Sequence, residues 1–200
     1  KRRFIPPLAR GESIGAFALS EPGAGSDAGA LRTTSTEAGR HYLLNGTKLF
    51  ITNAAEADIF VVMATRDPSL RTRGIDALVV EKGARGLTVN PQHGKMGMRA
   101  SSTSEMVFAD CSVPQENRLG GEGEGFRETM EVLTASRISI AAQCVGIAQA
   151  AYEASVSYAK QREAFGQRLA SFQAIQWSIA DMATSIAAAR LLVYHAATLR

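Results

Sequence analysis

Two hundred residues suffice for one large domain or two small ones. The 22 Lys and Arg outnumber the 19 Asp and Glu by three, and a net charge of +3 gives no case for a nucleic-acid partner, the only tight cationic cluster being Lys1-Arg2-Arg3. A hydrophobic fraction of 46% with 20% charged residues excludes disorder. No apolar run reaches the ~18 residues a membrane helix needs, and the first residues lack the apolar segment of a signal peptide.

In chain order, Ile14 to Ser20 reads as a strand. His41 to Leu44, Asn45-Gly46 and Thr47 to Thr52 read as a hairpin, since Asn-Gly suits the two positive-φ positions of a type I′ turn. Asp58 to Thr65, Gly74 to Glu81, Gly86 to Asn90 and Ser104 to Phe108 add further short strands. Six or more short strands without helical spacers predict an antiparallel barrel or sandwich. Near Gly120 the period changes. Phe126, Met130, Leu133, Ile138, Ala141, Val145, Ala148, Tyr152, Val156 and Ala159 recur mostly at helical spacing, predicting a helix from Gly125 to Lys160, about 50 Å long. Phe172, Ile175, Ile179, Met182, Ile186, Ala189, Val193 and Ala196 predict a second, with Ser171 as its N-cap. The expected class is α+β: an antiparallel β-barrel or sandwich, then two long antiparallel helices of an incomplete four-helix bundle. The second pattern reaches Arg200 with no stop signal, and Lys1 begins abruptly, so both ends read as cut.

Cys111 and Cys144 are too few for a disulfide framework or a zinc site, and His41, His93 and His195 stand alone, so no metal is expected. The densest chemical signal is Ser20-Glu-Pro-Gly-Ala-Gly-Ser26-Asp27. Its glycines let backbone N–H groups approach an anion, but the spacing matches neither a dinucleotide fingerprint nor a P-loop, and a polar turn remains equally open. Phe50-Ile51-Thr52 offers an aromatic wall and a hydroxyl, or simply a strand end. Arg137 implies an anion or solvent. Arg162, Phe165 and Gln173 flank the interhelical turn, as a nucleotide site or a charged surface. No hydrolase triad or paired-carboxylate arrangement is visible.

The segments FALSEPGAGSD (Phe17 to Asp27), LNGTKLFITNA (Leu44 to Ala54), KMGMRASST (Lys95 to Thr103) and REAFGQRLASFQAIQWSIADM (Arg162 to Met182), in this order and spacing, resemble the acyl-CoA dehydrogenase family, most of all its short-chain (butyryl-CoA) members. The resemblance covers essentially the whole chain. It implies that residues 1–11 end an N-terminal helical domain, 12–119 form the middle β-domain, and 120–200 supply the first two helices of a C-terminal helical domain, usually in a homotetramer. FAD is the implied cofactor. Phe17, Leu19, Ser20 and Ser26 would lie along it, with Leu19 and Ser20 hydrogen-bonding the isoalloxazine edge. Phe50, Ile51 and Thr52 would pack on its other side. Arg162, Phe165 and Gln173 would hold the pyrophosphate and adenosine end, on a neighbouring subunit's FAD. Ser26, Thr134, Ser136 and Arg137 would meet acyl-CoA.

The implied reaction is α,β-dehydrogenation of short or medium acyl-CoA thioesters to trans-2-enoyl-CoA, with electrons passing to electron-transferring flavoprotein, in a bacterial cytoplasm or a mitochondrial matrix. An oxidase or other flavoenzyme on the same fold, or a non-catalytic flavin- or CoA-binding homologue, are the alternatives. Some members carry the catalytic glutamate just before the arginine of the first long helix. Here that position is Ser136, so no catalytic residue is expected within these 200, and the base is expected C-terminal to Arg200. Glu131 should be a surface residue. Thr134 also departs from related members, which carry an acid there. The 200 residues alone are expected to be inactive.

Overall fold

The computed structural model describes residues 2–199 and divides in sequence between Thr129 and Met130 into two compact units. Lys1, the first member of the basic cluster, and Arg200, the end of the second helical pattern, lie outside the described residues.

The first unit opens with a short helix, α1 (Ile5–Ala9), whose prolines sit in the first turn, where a missing N–H costs nothing. An eight-stranded sheet follows: β1 (Gly15–Ala18), β2 (Thr34–Ala38), β3 (His41–Thr52), β4 (Ile59–Thr65), β5 (Ile75–Glu81), β6 (Leu87–Pro91), β7 (Thr103–Pro114) and β8 (Arg118–Leu119). Its order is β6-β7-β3-β2-β4-β5-β8, with β1 beside β4. All pairings are antiparallel except β1 with β4 and the single Thr34–Thr65 bridge between β2 and β4.

That single bridge is where the sheet folds over on itself. Tyr42, Leu44 and Ile51 of β3, with Met106, Phe108, Cys111 and Val113 of β7, pack against Phe60, Val62 and Ala64 of β4 and Leu78 and Val80 of β5. Alternate residues of β4 and β5, Met63, Ile75 and Ala77, face a second cluster with Ala24, Leu31 and Phe126. Both faces of β4 and β5 are therefore buried, and their sequences, IFVVMAT and IDALVVE, are nearly continuously apolar for that reason. The result is a sandwich. No closure pairing joins β6 to β8 among the described residues.

The Asn45-Gly46 hairpin is not formed. β3 runs unbroken through both residues. Gly46 is needed for another reason: its φ is 148° and an added Cβ would lie 2.6 Å from Thr33 Oγ1. Asn45 instead clamps a bulge in β7, exchanging hydrogen bonds with Asp110, whose φ is 46°. The turn that precedes β3 is at Gly39-Arg40, after β2, a strand whose polar sequence TSTEA gave no apolar alternation to read.

The second unit holds most of α2 (Gly125–Gln161) and α3 (Gln173–Thr198). The helices run antiparallel, with Arg190 Nη2 donating to Gln149 Oε1 at 3.0 Å. Val145 and Ala148 face Ile186 and Ala189 across an apolar groove of about 490 Å³. Ile140, Ile147, Trp177 and Leu191 remain exposed. Ser171 is not the N-cap of α3. It ends a 3-10 turn, and Phe172 takes the cap position without a side-chain hydrogen bond. Between the helices, β9 (Glu163–Ala164) and β10 (Gln167–Arg168) form a hairpin whose corner residues, Phe165 and Gly166, have φ of 51° and 76°. The primed turn thus occurs here rather than at Asn45-Gly46.

Candidate functional site

In the first unit the glycine-rich loop is tied directly to the Phe50–Thr52 strand end. Leaving β1, the chain turns at Glu21 and Ala24, which exchange backbone hydrogen bonds of 2.9 and 3.2 Å. Leu49 N donates to the Ser20 carbonyl at 2.9 Å, setting Leu19 and Ser20 alongside Leu49 and Phe50. Beneath this junction lies an ion pair that sequence reasoning missed. Lys48 Nζ is 2.7 Å from Glu21 Oε1 and 3.1 Å from the Leu19 carbonyl oxygen. The Lys48 side chain is 0% exposed and that of Glu21 6%. The same carboxylate accepts from the backbone N–H groups of Arg32 (2.6 Å) and Thr33 (3.0 Å), so one residue fastens both ends of the loop.

Burial works against the charge on each partner. For Glu21, Lys48 and the Thr33 and Arg32 donors outweigh burial and hold the carboxyl below its ordinary value. For Lys48, burial dominates and pushes the ammonium below its ordinary value, while Glu21 limits the shift. The only sequence-level trace of the pair was a lone acid and a lone lysine inside otherwise small or apolar motifs.

Phe50 occupies a bulge between the Lys48–Met106 and Ile51–Ser104 pairings. Its φ is 60° and its ring is 65% exposed, a costly arrangement for an aromatic residue. Thr52 is exposed beside it, whereas the Ile51 side chain lies in the main core and offers a neighbouring group only its backbone. Phe17 is half-buried against the second cluster. Ser26 is exposed at the far end of the loop, next to Asp27, whose carboxylate lies 3.7 Å from Arg71. Neither Gly23 nor Gly25 has a left-handed φ, and an added Cβ at either would meet nothing within 4 Å. The described residues therefore do not themselves require glycine at these two positions.

In the second unit, Arg162 and Gln173 are exposed on either side of the β9–β10 hairpin, with Phe165 at its tip, 96% exposed. The Phe165 ring meets Phe172 edge-on at 6.4 Å. On α2, the Thr134 hydroxyl donates to the Met130 carbonyl at 2.7 Å and that of Ser136 to Leu133 at 3.0 Å. Both hydroxyls are thus turned back on their own helix, while Arg137 is exposed, as is Glu131. Among the described residues no cluster of His, Cys, Asp or Glu could hold a metal ion, and no helix is long and apolar enough to cross a membrane.

A mixed sandwich with a pinned glycine loop, followed by a long antiparallel helix pair with a basic and aromatic turn, defines a recognisable class. Residues 16–111 match the acyl-CoA dehydrogenase middle domain, and residues 123–200 the acyl-CoA dehydrogenase C-terminal domain. The chain belongs to the acyl-CoA dehydrogenase family. It is 48% identical over 200 residues to the short-chain specific acyl-CoA dehydrogenase of Clostridium acetobutylicum, covering 100% of this chain and 53% of that protein. Among solved structures it is similar to butyryl-CoA dehydrogenase from Megasphaera elsdenii (47% identity, TM-score 0.93, 96% of this chain and 51% of that one). It is also similar to a chain in a structure described as the electron transferring flavoprotein of Acidaminococcus fermentans (51% identity, TM-score 0.95, 99% of this chain and 52% of that one). The chain thus spans about half the length of the relatives it matches.

Proposed function

We propose that the protein is an FAD-dependent dehydrogenase of short or medium straight-chain acyl-CoA thioesters, forming trans-2-enoyl-CoA and passing electrons to an electron-transferring flavoprotein. The observation that carries this reading is the junction made by the Leu49–Ser20 hydrogen bond. It sets the partly exposed Leu19–Ser20 segment, whose Ser20 N–H is unpaired among the described residues, beside the strand end that carries the exposed Phe50 and Thr52 side chains. That donor set fits a flat heteroaromatic group with polar edges: an aromatic face to stack on, hydroxyl and peptide groups to meet its edge. The two glycines that no neighbour in the structure demands fit a ligand that passes close to the loop backbone.

In this reading residues 12–119 are the β-domain and 120–200 begin the helical domain. Phe17, Leu19, Ser20 and Ser26 line the cofactor on one side and Phe50, Ile51 and Thr52 on the other. Arg162, Phe165 and Gln173 hold the diphosphate and adenine end of an FAD bound by a neighbouring copy in a homotetramer, combining charge with stacking. Arg137, with Ser26, Thr134 and Ser136, meets the CoA portion. FAD, when bound, supplies the two-electron redox chemistry. The residues of this chain bind and orient the reactants. A carboxylate outside these 200 residues takes the α-proton, since the Ser136 hydroxyl is neither basic nor free.

The test is anaerobic titration of the purified full-length protein with butyryl-CoA and longer homologues. The expected result is a yellow protein whose visible absorbance is bleached by one equivalent of a short or medium acyl-CoA. Arg162→Ala should weaken FAD binding, and Arg137→Ala should raise KM for the thioester. A colourless protein that takes up no FAD, or one that no acyl-CoA reduces, refutes the assignment.

A further inference from the structure

The glycine loop is held from beneath by one ammonium group, and that group fixes the direction of a single peptide. Lys48 Nζ draws the Leu19 carbonyl inward at 3.1 Å. Among the described residues there is no cis peptide bond. In a trans peptide the N–H points opposite to the C=O, so an inward Leu19 carbonyl turns the Ser20 N–H outward. The next carbonyl, that of Ser20, is taken by Leu49 N. The peptides on both sides of Ser20 are therefore locked, and neither can flip without losing a hydrogen bond. The Ser20 N–H has no hydrogen-bond partner among the described residues. A purely structural role accounts poorly for Lys48: buried ion pairs are often replaceable by apolar side chains of similar volume at no loss of stability.

We propose that Lys48 is a positioning residue for the cofactor: through the Leu19 carbonyl it aims the Ser20 N–H as a fixed donor at an acceptor atom on the edge of the flavin ring. The inference rests on the reading that this loop borders FAD. Glu21 is its necessary partner, keeping Lys48 charged while its second oxygen fastens the loop to Arg32. A donor fixed before binding costs no reorganisation when the ring arrives, and it tunes the ring's electron density as well as its affinity.

The experiment uses the full-length protein with Lys48→Met and with the charge-free pair Lys48→Met/Glu21→Gln. FAD affinity of the deflavo-protein, the visible spectrum and the flavin midpoint potential are measured for each. The double variant is expected to keep the wild-type circular dichroism, to bind FAD about tenfold or more weakly, and to shift both spectrum and potential toward those of free FAD. A merely structural lysine would lower the melting temperature without moving the spectrum or potential of the protein that remains folded. A crystal structure of the wild-type holoprotein needs no variant. It should place Ser20 N within hydrogen-bond distance of a ring acceptor, with Lys48 still on the Leu19 carbonyl. A folded variant with unchanged affinity and spectrum, or a holoprotein in which Ser20 N–H faces away from the ring, overturns the proposal and leaves the flavoenzyme reading standing. A wild-type protein that takes up no FAD overturns that reading and this one with it.

Discussion

Glu21→Ala should be among the most destabilising single changes in the β-sandwich. The carboxylate accepts three hydrogen bonds, at 2.7 Å from Lys48, 2.6 Å from Arg32 N and 3.0 Å from Thr33 N. Removing it leaves an ammonium that is 0% exposed with a single carbonyl acceptor, and a buried Thr33 N–H with none. Breaking one side of a buried ion pair costs about 3–5 kcal/mol. Glu21→Gln keeps one acceptor oxygen but turns an NH2 donor toward either the Arg32 N–H or the Thr33 N–H and Lys48 side, so it loses the charge and at least one hydrogen bond, and about 1.5–3 kcal/mol is expected. Adding Lys48→Met to Glu21→Gln removes the stranded charge and should return stability to within about 1 kcal/mol of wild type. Urea unfolding of the full-length protein, followed by far-ultraviolet circular dichroism, measures all four species. The pH dependence has a definite sign. The Glu21 carboxyl titrates lower in the folded state than its ordinary value of 4.5, so its contribution is complete above that pH and is lost as the pH falls below it. A Glu21→Ala loss under about 1 kcal/mol, the size expected of a surface pair, would refute the reasoning. So would a double variant no more stable than Glu21→Gln alone.

Phe50→Gly should stabilise the deflavo-protein by up to about 1 kcal/mol, because the left-handed backbone is costly for a side chain with a Cβ; the ring, 65% exposed, has little burial to lose. The same variant should bind FAD more weakly, and a lowered melting temperature of the deflavo-protein would contradict the assignment of strain. Gly25→Ala should change stability by less than about 0.5 kcal/mol, since its added Cβ meets nothing within 4 Å, yet weaken cofactor or acyl-CoA binding; unaltered binding of both would show that the loop backbone faces neither. Burial pushes the Cys111 thiol up to about 11, so it should resist alkylation at pH 8 until the protein is unfolded, and native labelling detected by peptide mass would refute its burial.

The elements that the sequence made legible are those whose burial is simple. β4 and β5 are buried on both faces and read as apolar runs; α2 and α3 bury a stripe and read at helical spacing. Asn45-Gly46 misled because the glycine answers a long-range demand, the approach of Thr33, which no local pattern records. β2 was invisible because its residues, TSTEA, are mostly exposed and held by ladder bonds rather than by apolar packing. The motifs around the loop were legible as motifs, but their internal division of labour was not. Ile51 is a core residue whose neighbours on either side point outward, a consequence of the bulge at Phe50. The Glu21–Lys48 pair joins residues 27 apart in sequence, and nothing short of the fold places a lone acid beside a lone lysine.

Two of the five left-handed side chains of the first unit, and its buried ion pair, stand at this junction, and their placement is itself an argument. Within a few residues stand a buried ion pair, an aromatic residue at φ 60° in a bulge, and Asn53 at φ 63°. Each costs stability that simpler side chains would spare. The main core instead pairs Leu44, Phe60, Val62, Leu78 and Val80 in ordinary apolar contact. The remaining positive-φ side chains of the first unit stand at Arg71, Met98 and the Asp110 bulge, of which the last is accounted for by its clamp to Asn45. At Phe50 no comparable clamp exists among the described residues: the ring is exposed, and the backbone is strained in order to expose it. A surface that spends stability to hold an aromatic ring outward, next to a peptide locked by a buried lysine, has the organisation of a preformed binding edge, in which the cost is met during folding so that the ligand need not meet it on arrival.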